Sequence, residues 1–320
     1  MKTYLVTGGA GFIGSTLVDS LLKDNNKVVV IDNFCSFYDK SLKEKNIESA
    51  SKNSNYKLYS IDIRNRDSLK EVFDNNKIDC VIHLAAMAGV RPSLDDPILY
   101  QEVNYIGTGN ILEEMKEHNI NNLVFASSSS VYGNCKEIPF KEDMIVDNCI
   151  SVYASTKKAG EVLTYTYHDL YNMNIMVLRF FTVYGPRQRP DLAISKFTKL
   201  ILEKKEIPMY GDGDTSRDYT YIDDIVGGIK KSINYLENNS NVYEILNLGS
   251  SNPISLKEMI ETIKNELNIE PKINKLDKQK GDVERTYADI TKAKELIGYE
   301  PKTSFKDGIE KYVNWYKSTH

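Results

Sequence analysis

The sequence predicts an α/β fold, a doubly wound parallel sheet with a smaller C-terminal α/β lobe, on three observations. Short β-branched runs alternate with helical patterns through the first 180 residues. The runs are apolar nearly throughout rather than at every second position. After about residue 181 the rhythm changes. A strand that is apolar on both faces needs cover on both faces, which is the condition of a parallel sheet between two helical layers.

Strand runs fall at 4–7, 28–32, 57–61, 80–84, 123–127 and 176–180. Between the first two, Ile13, Leu17 and Leu21 recur every four residues and mark one face of a helix over 13–23. Beyond 181, Pro186 and Pro190 mark a polar loop, a helix is expected near 194–204, and Gly211-Asp212-Gly213-Asp214 reads as a turn. A strand at 218–222, a helix opening at Asp223 or Asp224, and a strand at 242–248 follow. Ser255 stands where an N-cap would start a helix over 256–267. The expected division is a first domain over 1–180, with about 218–248 returning to it, and a second lobe from 181–217 and 249–320.

Composition excludes several classes. A net charge of −4 with no run of five like charges leaves no basic stripe for nucleic acid. Any anionic ligand must meet individually placed Arg and Lys residues. Cys35, Cys80, Cys135 and Cys149 show no C-x-x-C spacing and no paired histidines, so reduced thiols and no metal site are expected. No apolar run approaches the ~20 residues of a membrane helix, and the chain enters a strand at once with no leader pattern. A soluble, cytoplasmic protein is the expectation.

The first strand runs directly into Thr7-Gly8-Gly9-Ala10-Gly11-Phe12-Ile13-Gly14, which opens the first helix. Gly8 permits a tight turn, Gly11 lets backbone N–H groups approach a pyrophosphate, and Gly14 lets helix and strand pack closely. The helix N-terminus adds partial positive charge beneath the phosphates. Glycines alone would also suit a plain turn, but Asp32 ends the next strand eighteen residues after Gly14. An acid there accepts a hydrogen bond from the adenine-ribose 2′-hydroxyl and repels a 2′-phosphate. Together they read as a Rossmann-type site for NAD rather than NADP.

Tyr153-Ala154-Ser155-Thr156-Lys157 places a phenol and an ammonium one helical turn apart. A phenol is a poor base at neutral pH, and lowering its pKa by ~3 costs about 4 kcal/mol of preferential phenolate stabilisation. A neighbouring Lys⁺ and a nicotinamide cation in a water-poor site would supply it. Alone, the pair would be an ordinary surface pair; its position after a serine-rich strand end, Phe125-Ala126-Ser127-Ser128-Ser129-Ser130, gives it weight. One serine there would share a substrate hydroxyl proton with Tyr153, the others serving as caps or turn residues.

These motifs resemble the extended short-chain dehydrogenase/reductase family, in its NDP-sugar epimerase/dehydratase branch, over essentially the whole chain. The resemblance includes Asp62-Ile63, His83-Leu84-Ala85-Ala86, Asn104 before Gly107-Thr108, and Arg217-Asp218-Tyr219-Thr220-Tyr221-Ile222-Asp223-Asp224. It implies Tyr153 as catalytic base, Lys157 as its helper on the nicotinamide ribose, and Ser128 as the catalytic serine. It implies NAD contacts at Gly8, Gly11, Phe12, Ile13, Gly14, Asp32, Asn33, Asp62, Ile63, Leu84, Ala85, Ala86 and Asn104. Arg217 matches the residue gripping a sugar-nucleotide diphosphate, for which a bidentate fork suits better than Lys. Asp282 matches a nucleotide-binding acid, with a solvated loop carboxylate as the alternative, and Arg285 is a further candidate contact. A homodimer through the Tyr153 helix and the helix around 110–118 is implied by the resemblance alone.

Two features narrow the chemistry. Dehydratases and decarboxylases of this branch carry acids after the catalytic Ser/Thr, whereas here Ser129 and Ser130 follow, so 4-epimerisation is the simpler reaction. The segment Arg179-Phe180-Phe181-Thr182-Val183-Tyr184-Gly185-Pro186-Arg187-Gln188-Arg189-Pro190-Asp191 is similar to that of UDP-glucuronate 4-epimerases, in which Thr182 and Arg189 would approach the sugar carboxylate. Arg91 is another position able to meet an anionic group. A UDP-sugar is the implied substrate, leaning to the uronate, with UDP-glucose or an N-acetyl hexose still open. A dehydratase, and a non-catalytic NAD-binding scaffold, are the rival readings.

Overall fold

The computed structural model describes residues 1–277 and 284–319. Its central sheet has seven strands, all paired in parallel: β1 (Thr3–Thr7), β2 (Lys27–Ile31), β3 (Tyr56–Tyr59), β4 (Cys80–His83), β5 (Asn122–Ser128), β6 (Asn174–Phe180) and, later in the chain, a strand at Tyr243–Leu248. Successive residues serve opposite cores. Tyr4, Val6, Val28, Val30, Cys80, Ile82, Val124 and Ala126 face one cluster, while Leu5, Val29, Ile31, Val81, Leu123 and Phe125 face the other. Both faces are dry, so no polar alternation is possible, and the continuous apolar runs follow.

From β1 the chain builds outward through β2 to β3, then crosses back to β4 and builds the other way. The carboxyl ends of β1 and β4 therefore diverge to a crevice, the place where open α/β sheets hold ligands. The run expected at 57–61 ends early, because the register with β2 stops at Ile31↔Tyr59 and the chain then turns so that Ile61 and Asp62 line the crevice.

After β6 the strand changes sheets within one residue. The Phe181 N–H still donates to Leu248 of the central sheet (3.0 Å), but β7 (Thr182–Tyr184) pairs with β9 (Ser216–Tyr221) in a three-stranded sheet. β8 (Glu206–Tyr210) pairs elsewhere, and β10, the Tyr243–Leu248 strand, rejoins β6. β11 (Pro253–Ser255) flanks β9, and β12 (Lys272–Leu276) pairs with β8. The small β8–β12 sheet had no counterpart in the sequence reading.

The segment about 218–248 divides in space. β9 belongs to the smaller sheet, whereas the helix Ile222–Asn238 packs on β5 and β6. That helix opens at Ile222 rather than at Asp223 or Asp224. The Asp224 carboxylate accepts instead from the Lys302 and Thr303 N–H groups (3.0 and 3.1 Å), tying down the C-terminal tail. Ser255 does cap the helix Leu256–Leu267, accepting from the Glu258 N–H at 3.1 Å.

Candidate active site

A cavity of about 370 Å³ opens at the β1/β4 crevice, a size that suits an organic cofactor and substrate. Gly8, Gly11, Phe12, Ile13, Gly14, Asp32, Asn33, Asp62, Ile63, Leu84, Ala85, Ala86, Ser128, Tyr153, Lys157, Thr182 and Arg189 all line it. Arg91, Asn104 and Arg217 do not.

Gly8 has φ +71°, and a Cβ there would meet the Ala85 backbone nitrogen at 2.9 Å, so only glycine fits. A Cβ on Gly14 would overlap the Gly8 carbonyl oxygen. Gly11 is the N-cap of the helix Phe12–Lys23 and no side chain caps it, leaving first-turn N–H groups directed toward an anion. Asp32 is buried, its Oδ2 accepting from the Ala10 N–H (3.1 Å) and its Oδ1 from the Phe34 N–H (2.9 Å). Lys43, which sequence reading missed, is also buried and brings Nζ to 3.7 Å from Asp32 Oδ1, compensating its charge. Polar flanking residues hid it, since a lone Lys on a short helix looks like a solvated one.

Asp62 is held by Arg64 through both oxygens (3.0 and 2.9 Å) and accepts from Asn33 (2.9 Å). The guanidinium holds its carboxyl down at about 2. Leu84 and Ala85 both donate N–H bonds to the Thr7 hydroxyl (3.1 Å each), which must then give its own proton to His83 Nδ1 at 2.7 Å. His83 is neutral accordingly, burial pushing its pKa down to about 3. Asn104 lies behind this wall in a π-helical turn, Glu102–Ile106. Its amide is used up by Met87 N–H (2.8 Å), Met87 C=O (3.0 Å) and Thr156 Oγ1 (3.0 Å), so it braces the loop and the next helix rather than facing the cavity.

Ser151 caps the helix Val152–Tyr171 through the Ala154 N–H at 3.1 Å, setting Tyr153 in the first turn. Ser128, at the end of β5, stands beside the Tyr153 phenol and donates its own proton to Ser130 Oγ at 3.1 Å. Ser128 also accepts from the Ser130 N–H (3.1 Å), and Ser127 turns away to donate to Glu161 (2.6 Å). Lys157 is buried and donates to the Ala126 carbonyl at 2.8 Å, its pKa pushed down to about 8 by desolvation. Burial raises the Tyr153 pKa, and the Ser128 hydroxyl and the Arg189 cation oppose the rise.

Arg189 stacks over the Phe37 ring at 5.0 Å and forks onto Asp191 (Nε 3.0 Å, Nη2 2.9 Å). Its loop is set by Arg187, which takes φ +67° and reaches Asp19 on the first helix. Arg91 is exposed and lies over the Tyr210 ring of β8 at 6.0 Å. Arg217 is on β9, and Arg285 bridges to Ser216 of the same strand. Asp282 lies outside the described residues.

Behind the site is a buried network that no motif announced. Arg179 forks onto Glu161 (2.9 Å twice) and donates to Tyr132 Oη at 3.0 Å. Tyr132 donates to Asn247 (2.7 Å), whose amide holds the Phe140 and Asp289 carbonyls at 2.9 and 3.1 Å. The network joins β5, the Tyr153 helix, β6 and β10. An i,i+8 relation of Tyr153 to Glu161 was the only available signal.

The profile of the family described as GDP-mannose 4,6 dehydratase matches residues 5–312. A UDP-glucuronate 4-epimerase of Thermodesulfobacterium geofontis is 46% identical over 99% of this chain and 97% of its own length. UDP-glucuronate 4-epimerase 1 of Arabidopsis thaliana is 39% identical, over 99% of this chain and 77% of its own. The fold matches the crystal structure of a Bacillus cereus UDP-glucuronic acid 4-epimerase in complex with UDP-glucuronic acid and NAD, with TM-score 0.93 and 38% identity over 99% of this chain and 100% of that one. A Thermotoga maritima UDP-glucose 4-epimerase with UDP-glucose matches at TM-score 0.89 and 31% identity over 99% of each chain.

Proposed function

The chain belongs to the GDP-mannose 4,6 dehydratase family of extended short-chain dehydrogenases/reductases, and on that premise we propose that it is an NAD-dependent 4-epimerase interconverting UDP-glucuronate and UDP-galacturonate. One observation carries the reading. A single cavity joins the glycine turn and Asp32 to Ser128 and Tyr153, with Lys157, Thr182 and Arg189 in its wall and serines, not acids, after Ser128.

The residues present fit NAD. Gly8, Gly11 and Gly14 clear the pyrophosphate path, the first helix turns its N-terminus to it, and Asp32 takes the adenine ribose. Bound there, NAD supplies reversible acceptance of hydride from the sugar C4. Tyr153 holds and moves the O4 proton, with Ser128 sharing it, and Lys157 positions the nicotinamide ribose. Its ammonium adds positive charge to a dry site, which favours the phenolate once the cofactor's cation is beside it. The resulting 4-keto sugar turns over in the pocket and regains C4–H on its other face, while Tyr153 returns the proton. No acid follows Ser128 to pull a neighbouring proton, so the ketone is reduced rather than eliminated.

Thr182 and Arg189 take the C6 carboxylate, and Arg217 the diphosphate on the lobe side. The central sheet is thus the cofactor domain, and the smaller sheets with the C-terminal helices form the sugar-nucleotide lobe. Ile98, Ile106, Val162, Tyr165 and Leu170 expose apolar side chains on the neighbouring helical segments 97–117 and 152–171, which supports a homodimer through them. No helix among the described residues is long and apolar enough to cross a membrane. Four unbridged cysteines suit a reducing compartment, and we assign the protein to the cytoplasm.

Purified protein incubated separately with UDP-glucuronate, UDP-glucose and UDP-N-acetylglucosamine tests the assignment by anomeric-proton NMR. Conversion of UDP-glucuronate to a C4-inverted mixture is expected. Loss of CO₂ or water, or inversion of only the neutral sugars, would replace it.

A further inference from the structure

Arg189 holds a carboxylate already. Its Nε and Nη2 edge, the edge that gives a planar fork to a carboxylate, is bound by Asp191 Oδ1 and Oδ2 at 3.0 and 2.9 Å. Asp191 is two residues on, its side chain 45% exposed, while the Arg189 side chain is only 17% exposed and lines the cavity. A turn closed by the Leu192 N–H onto the Arg189 carbonyl (3.2 Å) brings the acid back toward the cation. The guanidinium face is covered by Phe37 at 5.0 Å, so the cation cannot turn freely to offer a second edge.

We propose that Asp191 is a specificity-setting residue, an internal carboxylate that competes with the substrate's C6 carboxylate for the Arg189 fork. The proposal rests on the uronate reading above. A uronate must displace Asp191, whereas a neutral hexose needs no such exchange. The exposed side of Asp191 gives it somewhere to go, because water can solvate the displaced carboxylate. Trading one carboxylate for another keeps the largely buried cation compensated throughout, so the charged ligand enters and leaves without stranding a charge. The exchange weakens uronate binding by the strength of the internal pair, and a partly exposed bidentate pair corresponds to about fivefold.

The test compares wild-type holoenzyme with Asp191→Asn and Asp191→Ser by calorimetric titration with UDP-glucuronate, UDP-glucose and UDP, with thermal melts to verify folding. Both variants should bind UDP-glucuronate about fivefold more tightly, with UDP-glucose and UDP unchanged within twofold. Unchanged or weaker uronate binding in a folded variant overturns the proposal and makes Asp191 a brace for Arg189. Equal tightening of all three ligands also overturns it. If wild type binds UDP-glucose but not UDP-glucuronate, the substrate reading fails and takes the proposal with it, an outcome distinct from a variant that simply binds uronate no better.

Discussion

Lys157 should cost the protein stability at neutral pH, and replacing it with methionine isolates that cost. The ammonium is buried and donates to the Ala126 carbonyl, and its pKa falls from 10.5 to about 8. That interval corresponds to about 3 kcal/mol of penalty on the charged form. Because the folded pKa lies below the unfolded one, the unfolded chain binds more protons between pH 8 and 10.5. Stability therefore rises with pH across that window, and the penalty is present in full below it. Lys157→Met removes the charge at similar length, though it strips Ala126 of its donor at about 1 kcal/mol. Cofactor-free Lys157→Met is expected to be more stable than wild type by about 2 kcal/mol at pH 7. That advantage should shrink as pH approaches 10.5, while turnover is lost. Urea titrations followed by Trp315 fluorescence at pH 7 and 10 give both numbers, and subtracting the two proteins cancels the other titrating groups. A variant less stable at pH 7, or two pH profiles that run parallel, would refute the desolvation argument.

Tyr153→Phe deletes the proton carrier without altering packing, and turnover should fall by ~10²–10⁴ with an unchanged melting temperature; residual activity near wild type in the NMR assay removes Tyr153 from the chemistry. Arg179→Met takes the bidentate partner from the buried Glu161 carboxylate, which keeps Ser127 at 2.6 Å and Lys158 at 3.7 Å, and should cost about 3 kcal/mol, lowering the midpoint by roughly 4 °C. Adding Glu161→Leu should restore at least half of it, and a double variant worse than the single would contradict the account. Val162→Glu puts a charge on the apolar patch of the Tyr153 helix and should yield monomers by light scattering; an unchanged mass at micromolar concentration would place any assembly elsewhere.

The sequence determined the parts of this protein that depend on neighbours in the chain. Apolar runs at β1, β2 and β4 declared a sheet with two dry faces, because burial on both sides acts on every residue of a strand. Gly8, Gly11 and Gly14 declared a close backbone approach, because only the missing side chain permits it. Tyr153 and Lys157 were legible because one helical turn fixes their separation. What needed the tertiary structure was pairing at long range. The Lys43–Asp32 contact, the Arg179–Glu161 fork and the switch of the chain from β6 into β7 are set by which elements meet, and no local spacing encodes that. Asn104 shows the same limit, since a polar residue at a motif position can face a ligand or brace the wall behind it, and only its partners, Met87 and Thr156, decide. The Tyr153 environment was settled in the same way. Arg189, thirty-six residues on in sequence, is the cation that opposes the rise burial gives the phenol's pKa, because electrostatics follows distance in space.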